Sequence, residues 1–457
     1  MAGLFDPDDP RPIHFLGIGG AGMSALALAA RRRGAAVTGC DPDSAAFPDL
    51  AAAGAVTWPA PDVAHVGGSR AVVATAAAPD DHPELIAARA AGIPVIRRKA
   101  ALAELVNGTR LIAIAGTHGK TTTTVMTTEV LRAAGLHPSG LAGGRVDAWQ
   151  GNAWLDGDET FVVEADEYDQ AFLTLEPVVA VVNNVEADHL ECYGSVAALE
   201  AAFVEFAGRA RRAIIGTADA GSDRVAHAVR TPTWRFGTAA ADLTITAREL
   251  DPSGSVAEVT LPGGRSVILR LQVPGVHNLR NATAALGVAL ALEVDLAPAL
   301  DALAAFTGVG RRFDRLGDVR GVTLVDDYAH HPTELRATLA AARQAFPGRR
   351  VIAVFQPHLF SRTRMHGSTM GQALAAADVV VVTDVYPARE LPEPGISGKL
   401  VADAAVAAGA FVLYEPRRAE LGAEVAALLR DGDVLLTLGA GDITQVGPEV
   451  RRLLDAR

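Results

Sequence analysis

Residues 109–124, TRLIAIAGTHGKTTTT, place a buried strand directly before a glycine-containing loop and a helix. Backbone N–H groups of such a loop, together with the helix N-terminus, can surround phosphate oxygens. Lys120 would then neutralise the β- and γ-phosphates of a nucleotide, and the Thr121 hydroxyl would bind Mg²⁺. The loop departs from the standard P-loop, which has glycine where this chain has Ile114. A strand-to-helix turn with an incidental lysine is the alternative. The predicted nucleotide-binding residues are Gly116, Thr117, His118, Gly119, Lys120, Thr121 and Thr122.

Acidic and imidazole groups follow the next buried strands. Glu164 ends the apolar run at residues 160–166, TFVVEAD, and His189 follows the run at 177–185, PVVAVVNNV. The carboxyl ends of parallel strands share one edge of a sheet with the phosphate loop. We therefore predict Glu164 and His189 as ligands of a nucleotide-bound metal, with Asp166 and Glu167 as nearby alternatives. Taken singly, Glu164 could equally be a helix cap or part of an ion pair with no bound metal. His189 could equally be a loop histidine that only makes hydrogen bonds.

A second glycine-rich turn lies near the N-terminus, between a strand and a helix. It contains Gly17, Gly19, Gly20, Ala21 and Gly22, and Asp41 follows the next predicted strand. This spacing matches the dinucleotide fingerprint, in which a pyrophosphate approaches the helix N-terminus and an acidic residue binds a ribose. The motif alone does not identify the nucleotide. A tight turn without a ligand is the alternative.

Alternating strands and helices predict an α/β protein of three domains. Residues 1–108 form an N-terminal Rossmann-like parallel sheet, and residues 109–307 a central P-loop ATPase-type mixed sheet. Residues 308–457 form a C-terminal Rossmann-like α/β domain. Alternating segments between about 242 and 273, separated by Asp-Pro-Ser-Gly and Pro-Gly-Gly turns, indicate antiparallel strands added to the central sheet.

Composition limits the possible partners. The chain has 457 residues, too many for one compact core, and a formal net charge of −12, which argues against nucleic-acid and anionic-membrane partners. Its acidic N-terminus lacks the apolar core of a signal peptide, and no apolar run is long enough to span a bilayer, so we expect a cytoplasmic protein. Cys40 and Cys192 are far apart with no metal-like spacing, which excludes a disulfide framework.

Several segments together resemble the Mur ligase family, and they occur in one consistent order over nearly the whole chain. They are HFLGIGGAGMSALA (14–27), AGTHGKTTTT (115–124), VEADEYD (163–169), NNVEADHLECYGS (183–195), GVHNLRNATAA (275–285), GVGRRFD (308–314), VDDYAHHPTE (325–334), QPHLFSRTR (356–364) and VYPARE (385–390). The resemblance implies an ATP- and Mg²⁺-dependent ligase that activates a carboxylate as an acyl phosphate and joins it to an amine. The implied substrates are UDP-N-acetylmuramate and L-alanine, acted on by a monomer or weak homodimer in peptidoglycan precursor synthesis.

The resemblance also implies roles for individual residues. The N-terminal turn would bind the UDP pyrophosphate instead of NAD, with Asp41 alongside. Thr121, Glu164 and His189 would be the metal ligands. Asn278 and Asn281 would face the adenine, Arg312 and Asp327 would close onto the nucleotide, and His358 and Arg362 would meet the amino-acid carboxylate. The predicted catalytic residues are Lys120, Glu164, His189, Arg312 and Asp327. For the four residues of the predicted C-terminal domain, the alternative is that they are ordinary surface charges. These residues are Arg312, Asp327, His358 and Arg362.

The chain departs from the family pattern at Gln170, where an arginine is usual, and at Glu191, where an aspartate is usual. We assign metal ligation to neither. A sister ligase that recycles a whole peptide is the nearest alternative function, and a folylpolyglutamate-type synthetase, which lacks the N-terminal domain, is a more distant one. The first hundred residues alone would suit an NAD-dependent oxidoreductase, which has no use for the second phosphate loop. A nucleotide-binding regulatory module would not explain the charged groups at strand ends throughout the chain.

Overall fold

The computed structural model describes residues 3–388 and 390–456, so that Arg389 of the VYPARE segment lies outside the described residues. The described chain forms two compact units. The first contains the chain up to Thr246 together with Glu258–Leu269 and Arg280–Ala305. The second contains Ala247–Ala257, Arg270–Leu279 and the chain from Phe306 onward. In the described part of the chain, no helix is both long and apolar enough to cross a membrane.

The N-terminal part of the first unit is a parallel sheet with the strand order β3-β2-β1-β4-β5. Its central strands are short apolar runs buried on both faces, as parallel sheets require. The elements are β1 (Ile13–Leu16), α1 (Ala21–Arg32), β2 (Val37–Cys40), α2 (Phe47–Ala52), β3 (Val56–Trp58), β4 (Ala71–Ala74), α3 (Pro83–Ala90), β5 (Val95–Arg97) and α4 (Arg98–Val106).

The middle of the chain forms a mixed sheet with the order β15-β14-β13-β12-β11-β10-β6-β9-β7-β8. Its elements are β6 (Arg110–Ala115), α5 (Lys120–Ala133), β7 (Ser139–Val146), β8 (Gly151–Trp154), β9 (Thr160–Glu164), β10 (Val179–Val182), α6 (Leu190–Tyr193), α7 (Val196–Gly208), β11 (Arg212–Gly216), α8 (Ala220–Ala228), β12 (Thr233–Gly237), β13 (Leu243–Asp251), β14 (Gly254–Thr260), β15 (Ser266–Leu271), α9 (Val276–Ala291) and α10 (Leu296–Ala304). Strands β10, β6 and β9 run parallel, so their carboxyl ends lie at one edge.

Within the first unit, α1 packs against β7 and β8 and ties the N-terminal sheet to the middle one. Asn152 on β8 is buried and donates through Nδ2 to the Ala21 carbonyl at 2.7 Å and to Ser24 Oγ at 3.0 Å. Arg32, at the other end of α1, donates to the carbonyls of Trp149 and Gln150 at 2.9 and 2.8 Å. These bonds fix the first helix of the N-terminal sheet against the sheet that carries the phosphate loop.

The second unit contains a sheet with the order β16-β17-β21-β18-β19-β20. All of its pairings are parallel except that of the edge strand β16 with β17. Its elements are β16 (Asp314–Val319), β17 (Val322–Asp327), α11 (Pro332–Ala345), β18 (Val351–Phe355), α12 (Phe360–Leu374), β19 (Val379–Val382), α13 (Lys399–Ala407), β20 (Val412–Tyr414), α14 (Arg418–Leu428), β21 (Val434–Leu438) and α15 (Val446–Asp455).

Helices α12 and α13 approach each other closely because α12 presents glycine at the contact. A Cβ atom at Gly367 would lie 2.0 Å from Leu400 Cδ2, and one at Gly371 would lie 2.4 Å from the Val401 carbonyl oxygen. Real Cβ atoms do not occur at such distances, so any larger residue would force the helices apart. The position of α12 is therefore fixed by backbone contact.

The predicted α/β fold class is confirmed, with a parallel N-terminal sheet and a mixed central one. The structure adds strands that the sequence did not predict. They are the antiparallel pair β7–β8, the edge strand β16, and the parallel strands β3, β11 and β12. The helix expected after Asn278 is α9, which begins at Val276, and a further helix, α10, follows it.

Candidate active site

The loop between β6 and α5 is shaped by two glycines in the left-handed region, Gly116 with φ of 127° and Gly119 with φ of 78°. Gly119 is the N-cap of α5 and has no side chain with which to cap it. The N–H groups of the first helical turn are therefore directed at the loop, as in anion-binding helix termini. Asn184 holds the loop, since its carbonyl accepts from Thr117 N at 3.1 Å and its Oδ1 from His118 N at 2.7 Å.

Lys120 begins α5 and turns back into the loop. Its Nζ donates to the Gly116 carbonyl at 2.8 Å and to both carboxylate oxygens of Glu167, at 2.8 and 3.0 Å. Burial alone would lower the pKa of Lys120, but the carboxylates of Glu167, Asp166 and Glu164 outweigh it, and the pKa is raised. The ammonium group is thus charged and surrounded by carboxylates. From the sequence, Glu167 was predicted only as an alternative metal ligand, whereas in the structure it is the ion-pair partner of Lys120.

Thr121 and Glu164 lie side by side, as the shared sheet edge predicted. Glu164 ends β9 opposite Ile114 of β6, and its Oε2 accepts from Thr121 Oγ1 at 2.9 Å. The same oxygen accepts from the Gly143 backbone N–H at 2.6 Å. A hydroxyl and a carboxylate oxygen at this distance are the hard donors that Mg²⁺ prefers, so these residues fit a magnesium ion.

His189 is the N-cap of α6 and has a positive φ of 52°. Its Nδ1 lies 3.5 Å from Glu191 Oε1, and its ring meets that of Tyr168 edge to face at a centroid distance of 5.3 Å. The hydrogen bond to His189 lowers the pKa of Glu191. Glu164, Asp166 and Glu167 form an acidic cluster around Lys120. His189 also acts electrostatically on Asp166 and Glu167, so it lies beside this cluster.

The N-terminal glycine-rich turn is held by Asp41. Asp41 Oδ2 accepts from Gly19 N at 3.0 Å, and its Oδ1 accepts from Asp43 N at 2.8 Å. A Cβ at Gly19 would lie 2.1 Å from the Asp43 carbonyl oxygen, so only glycine fits there. Burial raises the pKa of Asp41. The residue predicted to bind a ribose therefore also supports the turn itself.

Arg98, which the sequence did not single out, connects the glycine-rich turn with the acidic cluster. Its guanidinium packs against Gly22, where an added Cβ would lie 2.4 Å from Nη1, and its Nη2 lies 3.5 Å from Asp166 Oδ2. Arg98 and Lys120 both lower the pKa of Asp166 against the effect of burial. The basic run at residues 97–99 was the only signal in the sequence for this position.

In the second unit, Asp327 ends β17 and is buried. Its carboxylate accepts from the backbone N–H groups of Phe313 and Ala329, both at 2.8 Å. Burial raises the pKa of Asp327 to about 6, although the nearby Arg312 guanidinium opposes the shift. Arg312 lies over the Tyr328 ring, 4.9 Å from its centroid. Arg312 and Asp327, both predicted from the sequence, therefore lie close enough to interact electrostatically.

His358 and Arg362 also lie together in the second unit, before and within the first turn of α12. Arg362 Nη1 is 3.4 Å from His358 Nδ1, and Arg362 is only 7% exposed. The His358 ring stacks on Tyr386 at a centroid distance of 5.7 Å. Burial of Arg362 argues against the alternative of ordinary surface charge.

The two asparagines of α9 are both buried. Asn278 Nδ2 donates to the Pro274 carbonyl at 2.8 Å within the second unit. In the first unit, Asn281 lies beside the phosphate loop, where a Cβ on Gly119 would be 2.6 Å from its Oδ1. The structure therefore places Asn281 directly against the loop.

A helix N-terminus with a buried lysine, beside hydroxyl and carboxylate oxygens, is the arrangement that nucleotide phosphates and their metal ion require. The chain belongs to the Mur ligase family. Residues 12–110 match the profile of the family's catalytic domain, residues 114–289 that of the Mur ligase middle domain, and residues 311–441 that of the Mur ligase glutamate ligase domain.

Relatives of known name extend over nearly the whole chain. The UDP-N-acetylmuramate–L-alanine ligase of Cutibacterium acnes is 45% identical, over 99% of this chain and 98% of its own. The protein of the same name from Kineococcus radiotolerans is 46% identical, over 97% and 96% of the two chains. A solved UDP-N-acetylmuramate–alanine ligase from Thermotoga maritima superposes with a TM-score of 0.84 at 30% identity, covering 98% of this chain and all of its own. A murein peptide ligase from Psychrobacter arcticus gives a TM-score of 0.74 at 25% identity, covering 97% and 98%.

Proposed function

We propose that the enzyme joins the lactyl carboxylate of UDP-N-acetylmuramate to the amine of L-alanine, with conversion of ATP to ADP and phosphate, in peptidoglycan precursor synthesis. Relatives of that name at 45–46% identity over nearly the full length support this assignment. The observation that carries it is the placement of Lys120, Thr121 and Glu164 around one phosphate loop. The carboxylate would be activated as an acyl phosphate, which the amine then attacks with release of phosphate.

The phosphate loop is the proposed site of ATP. The N–H groups at the start of α5 and the Lys120 ammonium would hold its phosphates, and Asn281 would lie on the adenine side with Asn278. Thr121, Glu164 and His189 are the proposed Mg²⁺ ligands, and the ion would offset phosphate charge while two anions are brought together. In this chain Lys120 supplies part of the same charge. Loss of one such preorganised contact typically costs a factor of about 10²–10³ in rate.

The sugar nucleotide is assigned to the glycine-rich turn from Gly17 to Gly22, with Asp41 supporting the turn. Arg98 lies between this turn and Asp166, so its guanidinium is suited to orient an anionic substrate towards the phosphate loop. Holding reactants in place can contribute about 7–11 kcal/mol to lowering the barrier. For this reason the positioning residues matter as much as the charged ones.

Residues of the second unit are assigned to the nucleotide and the amino acid. Arg312 and Asp327 would contact the nucleotide, and Arg362 with His358 would bind the carboxylate of L-alanine. An arginine fork is well suited to a carboxylate. We retain the three-domain division at residues 1–108, 109–307 and 308–457, which agrees in outline with the ranges of the three matching profiles.

We further propose a cytoplasmic enzyme, a monomer or weak homodimer, without nucleic-acid or membrane partners. The net charge of −12 supports the last point, because it repels polyanions. Light scattering of the purified chain during gel filtration, over a range of concentrations, would measure the oligomeric state.

The deciding experiment measures phosphate release with ATP, Mg²⁺ and UDP-N-acetylmuramate, adding either L-alanine or a tripeptide that begins with L-alanine. Stimulation by free L-alanine supports the proposed reaction. Stimulation by the tripeptide alone would assign the chain to peptide recycling, and no stimulation by either amine in folded protein would refute both. Lys120→Met should abolish the release, whereas Lys99→Met, which changes a partly exposed lysine paired with Asp169, serves as the matched control.

A further inference from the structure

Four side chains from distant parts of the sequence converge beneath the N-terminal sheet, away from the phosphate loop. His14 lies on β1, Cys40 ends β2, and Glu84 lies in the first turn of α3; all three are 0–1% exposed. His65, in the short 3-10 turn at Val63–Val66, lies next to Glu84. None of the four side chains has a part in the amide-forming reaction proposed above.

The cluster is defined as His14, Cys40, Glu84 and His65, and the ligand atoms of its first three members have the dimensions of a metal site. For the first three residues these atoms all lie within 4.8 Å of one another. Cys40 Sγ is 3.2 Å from Glu84 Oε2, His14 Nε2 is 3.4 Å from the same oxygen, and Cys40 Sγ is 4.0 Å from His14 Nε2. Tetrahedral zinc with sulfur, nitrogen and oxygen ligands requires separations of about 3.4–3.6 Å. Shifts of a few tenths of an ångström would place all three atoms around one ion.

His65 offers a fourth ligand. Its Nδ1 is buried, lies 3.6 Å from Glu84 Oε1, and has no hydrogen-bond partner among the described residues. The ring is held in place by stacking on Trp58 at a centroid distance of 3.9 Å. Its charged neighbour is the Glu84 carboxylate, and at 3.6 Å the pair is slightly longer than a hydrogen bond. With a cation bound by His14, Cys40 and Glu84, the His65 ring would move towards the ion to become its fourth ligand.

The surroundings of the cluster also suit a metal. His14 Nδ1 pairs with Thr38 Oγ1 at 3.0 Å, which leaves Nε2 directed at the cluster, and Glu84 Oε1 accepts from Asp62 N at 2.9 Å. Outer hydrogen bonds of this kind orient the ligands of metal sites. One thiolate and one carboxylate would neutralise a divalent ion, so burial of the complex would leave no net charge.

We propose that His14, Cys40, Glu84 and His65 form a structural zinc site in the N-terminal domain. The ion would join β1, β2 and α3 at the end of β2, directly beside Asp41, which holds the glycine-rich turn. The competing interpretation is a metal-free hydrogen-bond network in which the Cys40 thiol donates to Glu84. Burial and that hydrogen bond raise the pKa of the Cys40 thiol, which favours this metal-free network as long as no cation is bound.

The test uses the purified full chain, stripped of metal with a chelator and then titrated with Zn²⁺ or Co²⁺. We expect about one zinc per chain to remain after dialysis, measured by mass spectrometry of the elements, and a higher melting temperature with zinc than without. With Co²⁺, wild-type protein should show thiolate-to-cobalt charge-transfer absorption. This signature reports the Cys–metal bond directly and does not depend on whether any variant folds.

Cys40→Ser should abolish the cobalt absorption and weaken zinc binding at least a hundredfold, and Glu84→Gln should weaken it as well. Cys192→Ser is the matched control, since Cys192 is the other cysteine and lies outside the cluster. Absence of the absorption in folded wild-type protein would overturn the proposal in favour of the hydrogen-bond network. Loss of the absorption in Cys192→Ser instead of Cys40→Ser would equally overturn it.

Discussion

Replacing Lys120 by methionine separates the charge of this lysine from its space-filling role. In the structure, Lys120 is the cation that faces Glu167, whose side chain is 3% exposed, with Asp166 close by. Methionine keeps the aliphatic stem but removes the ammonium. Glu167 then remains buried opposite a neutral side chain, and the phosphate loop loses its cation.

The expected loss of stability is about 3–5 kcal/mol, the usual cost of removing one partner of a buried ion pair. The loss depends on pH. Burial already raises the pKa of Glu167 above its ordinary value of 4.5, and removal of Lys120 raises it further. A carboxyl with a raised pKa contributes stability at low pH that is lost as pH rises through the folded-state pKa. The deficit of the variant should therefore be larger at about pH 8 than at about pH 5.5.

Urea unfolding of wild type, Lys120→Met, Glu167→Gln and the double variant gives the coupling between the two residues. Phosphate release with all three substrates gives the rate. We expect the double variant to recover most of the lost stability while remaining at least about 10²-fold below wild type in rate. The control, Lys99→Met, breaks a pair with Asp169 at 3.0 Å whose side chains are 34% and 47% exposed. It should cost about 0–1 kcal/mol.

Two results would refute this reasoning. A stability deficit that is the same at both pH values would show that Glu167 is not the charge left uncompensated. Recovery of the rate in the double variant would show that Lys120 acts on the reaction only through its pair with Glu167, and not on a bound phosphate.

Three further predictions concern single positions. Gly119→Ala should abolish ATP binding measured by calorimetry, because a Cβ there would lie 2.6 Å from Asn281 Oδ1. The control is Gly135→Ala, which has an equally positive φ and no neighbour within 4 Å. It should lower the free energy of unfolding by about 1 kcal/mol and leave ATP binding intact. The pKa of about 6 at Asp327 predicts that activity falls as pH drops through that value and the carboxylate takes up a proton. If the pH–rate profile of Asp327→Asn shows the same fall in rate near pH 6, Asp327 is not the group that titrates. Arg98→Ala should raise KM for UDP-N-acetylmuramate at least tenfold more than KM for ATP in steady-state kinetics, and equal effects on both would contradict its proposed position.

Much of the fold could be predicted because the parallel strands are continuous apolar runs ending in distinctive residues. The run before Gly116 and the run ending at Glu164 became neighbouring strands, and Thr121 lies against Glu164 as their shared edge required. The edge strands β3, β8 and β16 were missed, as were β7, β11 and β12 inside the central sheet. All residues of β16 except the last, Val319, are half-buried or exposed, so its sequence resembles a loop when the partner strand is not known.

Contacts between residues far apart in sequence could not be predicted. Nothing local marks Glu167 as the partner of Lys120, nor Arg98 as the neighbour of Gly22, since both depend on how packed elements meet. The cluster around Cys40 shows this most clearly. Its members lie at positions 14, 40, 65 and 84, with none of the short spacings by which metal ligands are recognised in a sequence.

If Arg362 binds the amino-acid carboxylate as proposed, the glycine-lined contact of α12 with α13 would link the choice of amino acid to residues outside the predicted site. Arg362 precedes Gly367 on α12 by five residues, a rise of about 7.5 Å. Because packed interiors transmit displacement, a bulkier side chain at Leu400 or Ala404 would shift α12 as a rigid rod and carry Arg362 with it. Substitutions on α13, a helix without any predicted site residue, would on this proposal change the amino-acid preference of the enzyme.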